Sequence, residues 1–299
     1  MDIFHNKDVY ITGFSGYIGS HLVDIFLQNN IRPICIARSQ AKRSEYRVDV
    51  EVITWNSLDE LSDQVRNSIE PIVFNLAGYF AGQHKSSDIS KLINSNLQFP
   101  ISLFEAFKNC RATSIVNVGT SWELSRQPKA LPLNLYACLK ASNAQALKWY
   151  CQAYDMTAIN LKLNDTYGGN DTRNKLLSYL KKALKETRPV NLGTASQVVN
   201  ILHISDVVSG LIASAKQACE LTPGFCKDYA LLHPDNTTIG AIIECIQSEI
   251  QKDFDVSFSH IGEGDNRSLT DNTTILPEWR AEMSLKSGLV GYLRDVHGY

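Results

Sequence analysis

"VYITGFSGYIGSHL", Val9 to Leu22, joins a β-rich apolar run to a helical pattern through Gly13, Gly16 and Gly19. Glycines at such a join permit a tight turn, close approach of backbone to a pyrophosphate, and close packing of helix on sheet. The first amides of the helix then face the phosphates. The spacing is G-x-x-G-x-x-G, not the G-x-G-x-x-G of the older dehydrogenase fingerprint. It predicts a dinucleotide site lined by Gly13, Phe14, Ser15, Gly16, Tyr17 and Ile18. A merely structural turn would not require three glycines at that period.

Outward from this stretch, apolar runs alternate with helical periodicity: "RPICIAR", "LDELSDQVRNSI", "PIVFNLAG", "SNLQFPISLFEAFKNC", "SIVNVGT", "LNLYACLKASNAQALKWY", "TAINLKL". That rhythm predicts an α/β protein, a Rossmann-type doubly wound parallel sheet with helices on both faces. Runs such as "PIVFNL" are apolar almost throughout, as strands buried on both faces should be. After Leu163 the pattern loosens into "NDTYGGNDTRNKL", a loop by its Gly-Gly and Asn/Asp content. We expect a dinucleotide-binding domain at 1–164, with 198–220 returning to it, and a smaller C-terminal lobe from 165–197 and 221–299.

The 299 residues are 44% hydrophobic and 20% charged with a formal net charge of -2, an ordinary globular composition. Nothing in that balance draws nucleic acid or an anionic membrane, and no apolar run approaches spanning length. Seven cysteines, an odd number without C-x-x-C pairs, fit reduced thiols in a cytoplasmic protein. The N-terminus carries no apolar signal segment. His84 and His203 have no partners at metal-ligand spacing, so no metal is expected.

After the second strand come Arg38 and Ser39, where an acid would bind the ribose hydroxyls of NAD. A guanidinium there suits the 2′-phosphate of NADP, so NADP(H) is expected ahead of NAD(H). The alternative is a solvated basic loop of Arg38, Lys42 and Arg43. Tyr136 and Lys140, four residues apart on one helical face, are neighbours, and a cation beside a phenol favours the phenolate. A chain of this composition yields roughly one Tyr-x-x-x-Lys by chance. The pair gains weight from following a cofactor loop.

Together these residues resemble the extended short-chain dehydrogenase/reductase family, the nucleotide-sugar epimerases, dehydratases and reductases. The resemblance covers nearly the whole chain: the glycine loop, "NLAG" (Asn75 to Gly78), "NVGTS", Tyr136 with Lys140, and "DTYGGNDTR". Within it, "NLAGYFAGQHKSSDISKLINSNLQFP", "VGTS" closely followed by "LYACLK", and "LKLNDTYGGNDTRNKL" are most similar to the reductases that make CDP-3,6-dideoxyhexoses, the paratose and abequose synthases of bacterial O-antigen assembly. The resemblance implies NADPH-dependent reduction of the 4-keto group of a deoxy nucleotide sugar by a homodimer. A 4-epimerase is the alternative in the same fold. A non-catalytic dinucleotide-sensing protein is the alternative of another class, against which the retained Tyr/Lys pair argues.

The resemblance also assigns roles. Leu76, Ala77 and Gly78 line the cofactor, and Asn96 is structural. Thr120 hydrogen-bonds the substrate oxygen, Tyr136 donates the proton, and Lys140 serves both the phenol and the nicotinamide ribose. Ser121, Trp122, Asp165, Lys175 and Arg267 meet the substrate in the nucleotide-sugar-binding lobe, with Arg173 nearby. Family dehydratases carry an Asp-Glu pair after the threonine, whereas this chain has Ser121 and Trp122. Glu123 follows, either a rim residue or, as favoured, simply exposed; Trp122 suits either a pocket wall or the core. Two departures stand out: Val199, where relatives often have arginine, and Asp165, where many have asparagine.

Overall fold

A computed structural model describes residues 1–37, 50–123, 131–173, 175–250, 255–259 and 274–294. Contacts among them divide the chain into two compact units, Met1–Leu163 with Val208–Ala230, and Asn164–Val207 with Leu231–Tyr299.

The first unit holds strands β1 (Val9–Thr12), β2 (Ile34–Ala37), β3 (Glu51–Thr54), β4 (Ile72–Asn75), β5 (Ser114–Thr120) and β6 (Thr157–Leu163). Its helices are α1 (Tyr17–Gln28), α2 (Leu58–Val65), the short α3 (Ile89–Ile93), α4 (Phe99–Phe107) and α5 (Leu135–Tyr154). The sheet runs β3-β2-β1-β4-β5-β6, every one of these pairs parallel. From β1 the chain builds outward to β3, then crosses to β4 on the other side. That reversal opens a crevice at the carboxyl ends of β1 and β4, the place where such sheets bind ligands. All four residues of β1 and β4 and all seven of β5 are buried, which explains their continuous apolar sequence.

One face of the sheet packs on α2, α4 and α5. Tyr10, Val73, Ile115 and Ala158 from the strands meet Leu61, Leu103, Phe104, Phe107, Leu147 and Cys151 from the helices. Phe99, Leu103, Phe104 and Phe107 thus turn inward. The apolar side of α4 is committed to this core.

The second unit contains β7 (Asp165–Tyr167), β8 (Val190–Leu192), β9 (Val198–Val199), β10 (Ile201–His203), β12 (Thr237–Thr238) and β13 (Val256–Phe258), with helices α6 (Leu176–Glu186), α8 (Ile239–Ile250) and α9 (Leu285–Leu293). The strands form three two-stranded pieces around a core that includes Leu177, Leu180, Leu184, Ile242, Ile246 and Leu289. Helix α7 (Ile204–Glu220) leads the chain to β11 (Cys226–Leu231), the seventh strand of the main sheet beside β6. The sequence placed 221–299 in the lobe; β11 departs from that because strand pairing across the chain leaves no local signature.

Candidate active site

The glycine loop has the geometry its spacing implied. Gly13 follows β1 with φ of +66°, and a β-carbon there would lie 2.7 Å from the Ala77 amide nitrogen. A side chain would therefore pry the first loop from the "NLAG" loop. At Gly19 a β-carbon would overlap the Gly13 carbonyl, so α1 packs against its own entry turn. Gly16 is the N-cap of α1, and no side chain among the described residues caps it. These amides at a helix start, beside a bare glycine turn, fit the phosphates of a dinucleotide. Ser15 is exposed and Tyr17 and Ile18 half-buried, whereas Phe14 is buried in the core and can meet a cofactor only through its backbone.

Beneath this crevice runs a row of buried polar side chains that the sequence reading missed. Thr12, Asn75, Asn117 and Asn160 stand opposite one another in the registers of β1, β4, β5 and β6. The Thr12 hydroxyl donates to Asn75 Oδ1 at 3.1 Å, Asn75 Nδ2 to Asn117 Oδ1 at 2.7 Å, and Asn117 Nδ2 to Asn160 Oδ1 at 2.9 Å. Asn160 Nδ2 ends the row on Asp228 of β11 at 2.7 Å, and Lys148 of α5 pairs with the same carboxylate at 2.5 Å. Thr12 also accepts from the amides of Leu76 and Ala77, both at 3.1 Å, fixing the second loop. The available signal was one polar residue inside each apolar run, "VFN", "VNV" and "INL".

Thr120 ends β5 and is buried at 9% exposure, and its hydroxyl accepts from the Trp122 amide at 3.3 Å. Helix α5 begins at Asn134, whose side chain accepts from the Ala137 amide at 2.9 Å. Tyr136 stands in its first turn and Lys140 one turn further. The Lys140 ammonium is buried, donates to the Val118 carbonyl at 2.9 Å, and lies 3.4 Å from where a β-carbon of Gly78 would be. The structure therefore gathers Gly78, Thr120, Tyr136 and Lys140 at the ends of β4 and β5. Asn96 bonds the backbone of Tyr79 and Leu92 and steadies the same loop.

Burial, and then the charge of Glu123, push Tyr136 up to about 12, and burial pulls Lys140 down to about 8 against that charge. The chain's own groups thus hold a neutral phenol. Glu123, expected at the surface, is instead buried with its side chain 2% exposed, because Oε1 accepts from the Thr120 amide at 2.7 Å and Oε2 lies 3.6 Å from Lys162.

Phe80 is 47% exposed and packs edge-on against Tyr136 at 5.2 Å and tilted against Trp122 at 5.4 Å. Trp122 therefore belongs to an aromatic wall beside Tyr136. Ser121 is half-buried on the same turn.

In the second unit, Lys175 and Asp165 pair with each other at 3.0 Å, so the charge of Asp165 is already balanced. Arg173 is held by Asp171 at 2.8 Å and by the Thr166 carbonyl and hydroxyl at 2.9 Å. Val199 pairs with Thr237 in the β9–β12 ribbon. His203 bonds Ser205 and packs on Tyr167. Arg38, Ser39, Lys42, Arg43 and Arg267 lie outside the described residues. Among the described residues no helix is long and apolar enough to cross a membrane.

Residues 9–224 match the NAD dependent epimerase/dehydratase family, and the chain belongs to it. It is 26% identical over 205 residues to a CDP-abequose synthase of Yersinia pseudotuberculosis, spanning 68% of this chain and 71% of that one. A CDP-abequose synthase of Salmonella muenchen is 21% identical over 289 residues, 95% of this chain and 96% of its own. Among solved structures, UDP-glucuronic acid 4-epimerase from Bacillus cereus, in complex with UDP-glucuronic acid and NAD, superposes with a TM-score of 0.79 at 19% identity, over 97% of this chain and 98% of that one. At that identity the likeness establishes the extended short-chain dehydrogenase/reductase fold. Family and site together make the protein an enzyme dependent on a nicotinamide dinucleotide.

Proposed function

We propose that the enzyme reduces the 4-keto group of a deoxy nucleotide-diphosphate sugar, CDP-linked, with NADPH, as a step toward a bacterial surface polysaccharide. The observation that carries this is the grouping of Thr120, Tyr136 and Lys140 at the end of β5 and the start of α5, with Ser121 and Trp122 where a dehydratase has its acid pair. The similarity to CDP-abequose synthases supports it. So does the aromatic wall of Phe80 and Trp122, which suits a ring face that has lost hydroxyls.

When bound, the dinucleotide supplies the hydride. Around it, Gly13, Gly16 and the start of α1 would hold the phosphates, Leu76 to Gly78 would flank the rings, and Lys140 would reach the ribose. Tyr136 gives its proton to the C4 oxygen, which the Thr120 hydroxyl orients. A cationic Arg38 favours the 2′-phosphate of NADP(H). In the lobe, Lys175, Arg267, Asp165 and Ser121 with Trp122 on the catalytic side are the residues we assign to the nucleotide sugar.

Purified protein with NADPH and a panel of enzymatically made 4-keto sugars tests this directly. Stoichiometric NADPH oxidation with a CDP-linked 4-keto-6-deoxy sugar is expected. The second reading, a nucleotide-sugar 4-epimerase, is favoured by the solved epimerases that share the fold. Interconversion of 4-hydroxy sugars without net NADPH consumption would establish it and displace the reductase.

A further inference from the structure

Phe80, in the loop after β4, keeps its ring half-exposed although the backbone on both sides of it is pinned. On one side the Tyr79 amide donates to Asn96 Oδ1 at 3.2 Å, Asn96 Nδ2 donates back to the Tyr79 carbonyl at 2.8 Å, and the Tyr79 hydroxyl donates to Asp88 at 2.9 Å. On the other side the Gly82 carbonyl accepts from Asn134 Nδ2 at 3.0 Å. Asn134 is the N-cap of α5, so this bond ties the loop to the helix that carries Tyr136. The neighbouring Leu133 amide donates to the Trp122 carbonyl at 3.0 Å, which ties the turn after β5 to the same helix start.

Two consecutive residues, Leu133 and Asn134, thus join the loop of Phe80, the turn of Thr120 and Trp122, and the first turn of α5. Within that frame the Phe80 ring meets Tyr136 edge-on, at 5.2 Å and 83°, and tilts against Trp122 at 5.4 Å. A fixed aromatic side chain that keeps half its surface in water beside a reacting group is what a small ligand rests on. The ring stands next to the tyrosine that meets the C4 oxygen, so it faces the substituents that flank C4. In a hexopyranose C3 bears only a hydroxyl or hydrogen, whereas C5 carries a projecting carbon, C6. In a 6-deoxy sugar that carbon is a methyl. A methyl laid on a phenyl ring leaves water and gains dispersion contacts, but a hydroxyl pressed there loses water without gaining a hydrogen bond.

We propose that Phe80 is a specificity-determining residue, the surface on which the C6 methyl of a 6-deoxy nucleotide sugar rests. The inference deepens the proposed function and rests on its reading of the site, a nucleotide sugar with its C4 oxygen at Tyr136. Trp122 backs the ring and sets its tilt. The wall sorts 6-deoxy sugars from their 6-hydroxy counterparts on binding, before any hydride moves.

The test therefore reads binding and not turnover. Nucleotide-linked 6-deoxyglucose and glucose, as CDP, UDP and dTDP pairs, are titrated calorimetrically into protein saturated with NADPH, a combination in which both partners are already reduced and no hydride can move. The parent should bind the 6-deoxy member of its best-bound pair about tenfold to a hundredfold more tightly than the 6-hydroxy member, the discrimination an apolar pocket achieves over one small group. Phe80→Ser should bring that ratio to about threefold or less by weakening the 6-deoxy ligand alone, with the 6-hydroxy sugar and NADPH bound as before. Phe80→Leu, apolar without the ring, should keep most of the preference. Should Phe80→Ser not fold, Phe80→Gln fills the same space with a polar group and carries the same expectation. Equal affinities in the parent overturn the inference, and so does a polar variant that keeps the parent ratio or weakens both sugars alike. Failure of both polar variants to fold makes the ring structural and overturns it too. A parent that binds none of the pairs overturns the nucleotide-sugar reading itself and the inference with it, whereas binding without preference leaves that reading standing and removes only the role of Phe80.

Discussion

Tyr136→Phe keeps the ring that packs on Phe80 and deletes the transferable proton. Turnover should fall by about 10² to 10⁴ with cofactor affinity little changed, as stopped-flow fluorescence with NADPH would show. Lys140 makes a different prediction, because its amine is buried and pulled from 10.5 to about 8. A base with a depressed folded pKa binds fewer protons folded than unfolded between those values, so stability rises with pH across that window and the cost is fully present below it. Lys140→Met should therefore lose NADPH binding while gaining up to about 3 kcal/mol of stability at pH 7, the gain fading toward pH 10.5 in urea titrations. A variant no more stable than its parent at neutral pH would refute that cost. Arg38→Ala should weaken NADP(H) by about ten- to a hundredfold and NAD(H) far less, measured by fluorescence titration; equal losses would reject the 2′-phosphate contact. The Tyr136–Lys140 spacing could be read because it is local to one helix, whereas Thr120 came only through the family resemblance. The state of the phenol was not, because its burial and the approach of Glu123 exist only after β5, β6 and α5 assemble.

Element by element, the alternation of strand and helix could be read from Val9 to Leu163, since each period is written in a short window. What joins the strands could not. Asn75, Asn117 and Asn160 look like isolated polar interruptions until the parallel registers put them side by side. In that row Asn117 is the junction, accepting from Asn75 and donating to Asn160. Asn117→Val would orphan both partners, and each buried unsatisfied group costs about 1–3 kcal/mol, so a loss of about 3 kcal/mol or more is expected in chemical denaturation. Asn143 of α5 is the contrast. Its amide reaches Asn117 only at 3.4 Å and its Oδ1 has no hydrogen-bond partner among the described residues, so Asn143→Leu should cost less than about 1 kcal/mol. Similar losses at the two positions would mean that volume, not the hydrogen-bonded row, sets the stability.

At the scale of the whole molecule, apolar surface decides what association remains available. Sequence showed two helices with apolar sides, α4 and α5, but not which way the sides turn. The core takes Phe99, Leu103, Phe104 and Phe107 from α4, and Leu139, Leu147 and Tyr150 from α5. The outward face of α5 is left with Cys138, Ser142, Gln145 and Gln152 around one large apolar group, Trp149, which is 56% exposed. A homodimer of the kind the family resemblance implies therefore depends on Trp149 as its anchor, in the way that a few aromatic side chains dominate an interface. Two-fold symmetry would bring the two copies of this face together, so one substitution acts twice. Trp149→Glu places a charge where each copy would be desolvated, while leaving the buried face of α5 and the Tyr136–Lys140 pair untouched. Light scattering at micromolar concentration should give a dimer mass for the parent and a monomer mass for the variant, with unchanged NADPH affinity. A parent that is already monomeric sinks the dimer, and a variant that stays dimeric moves the interface away from α5.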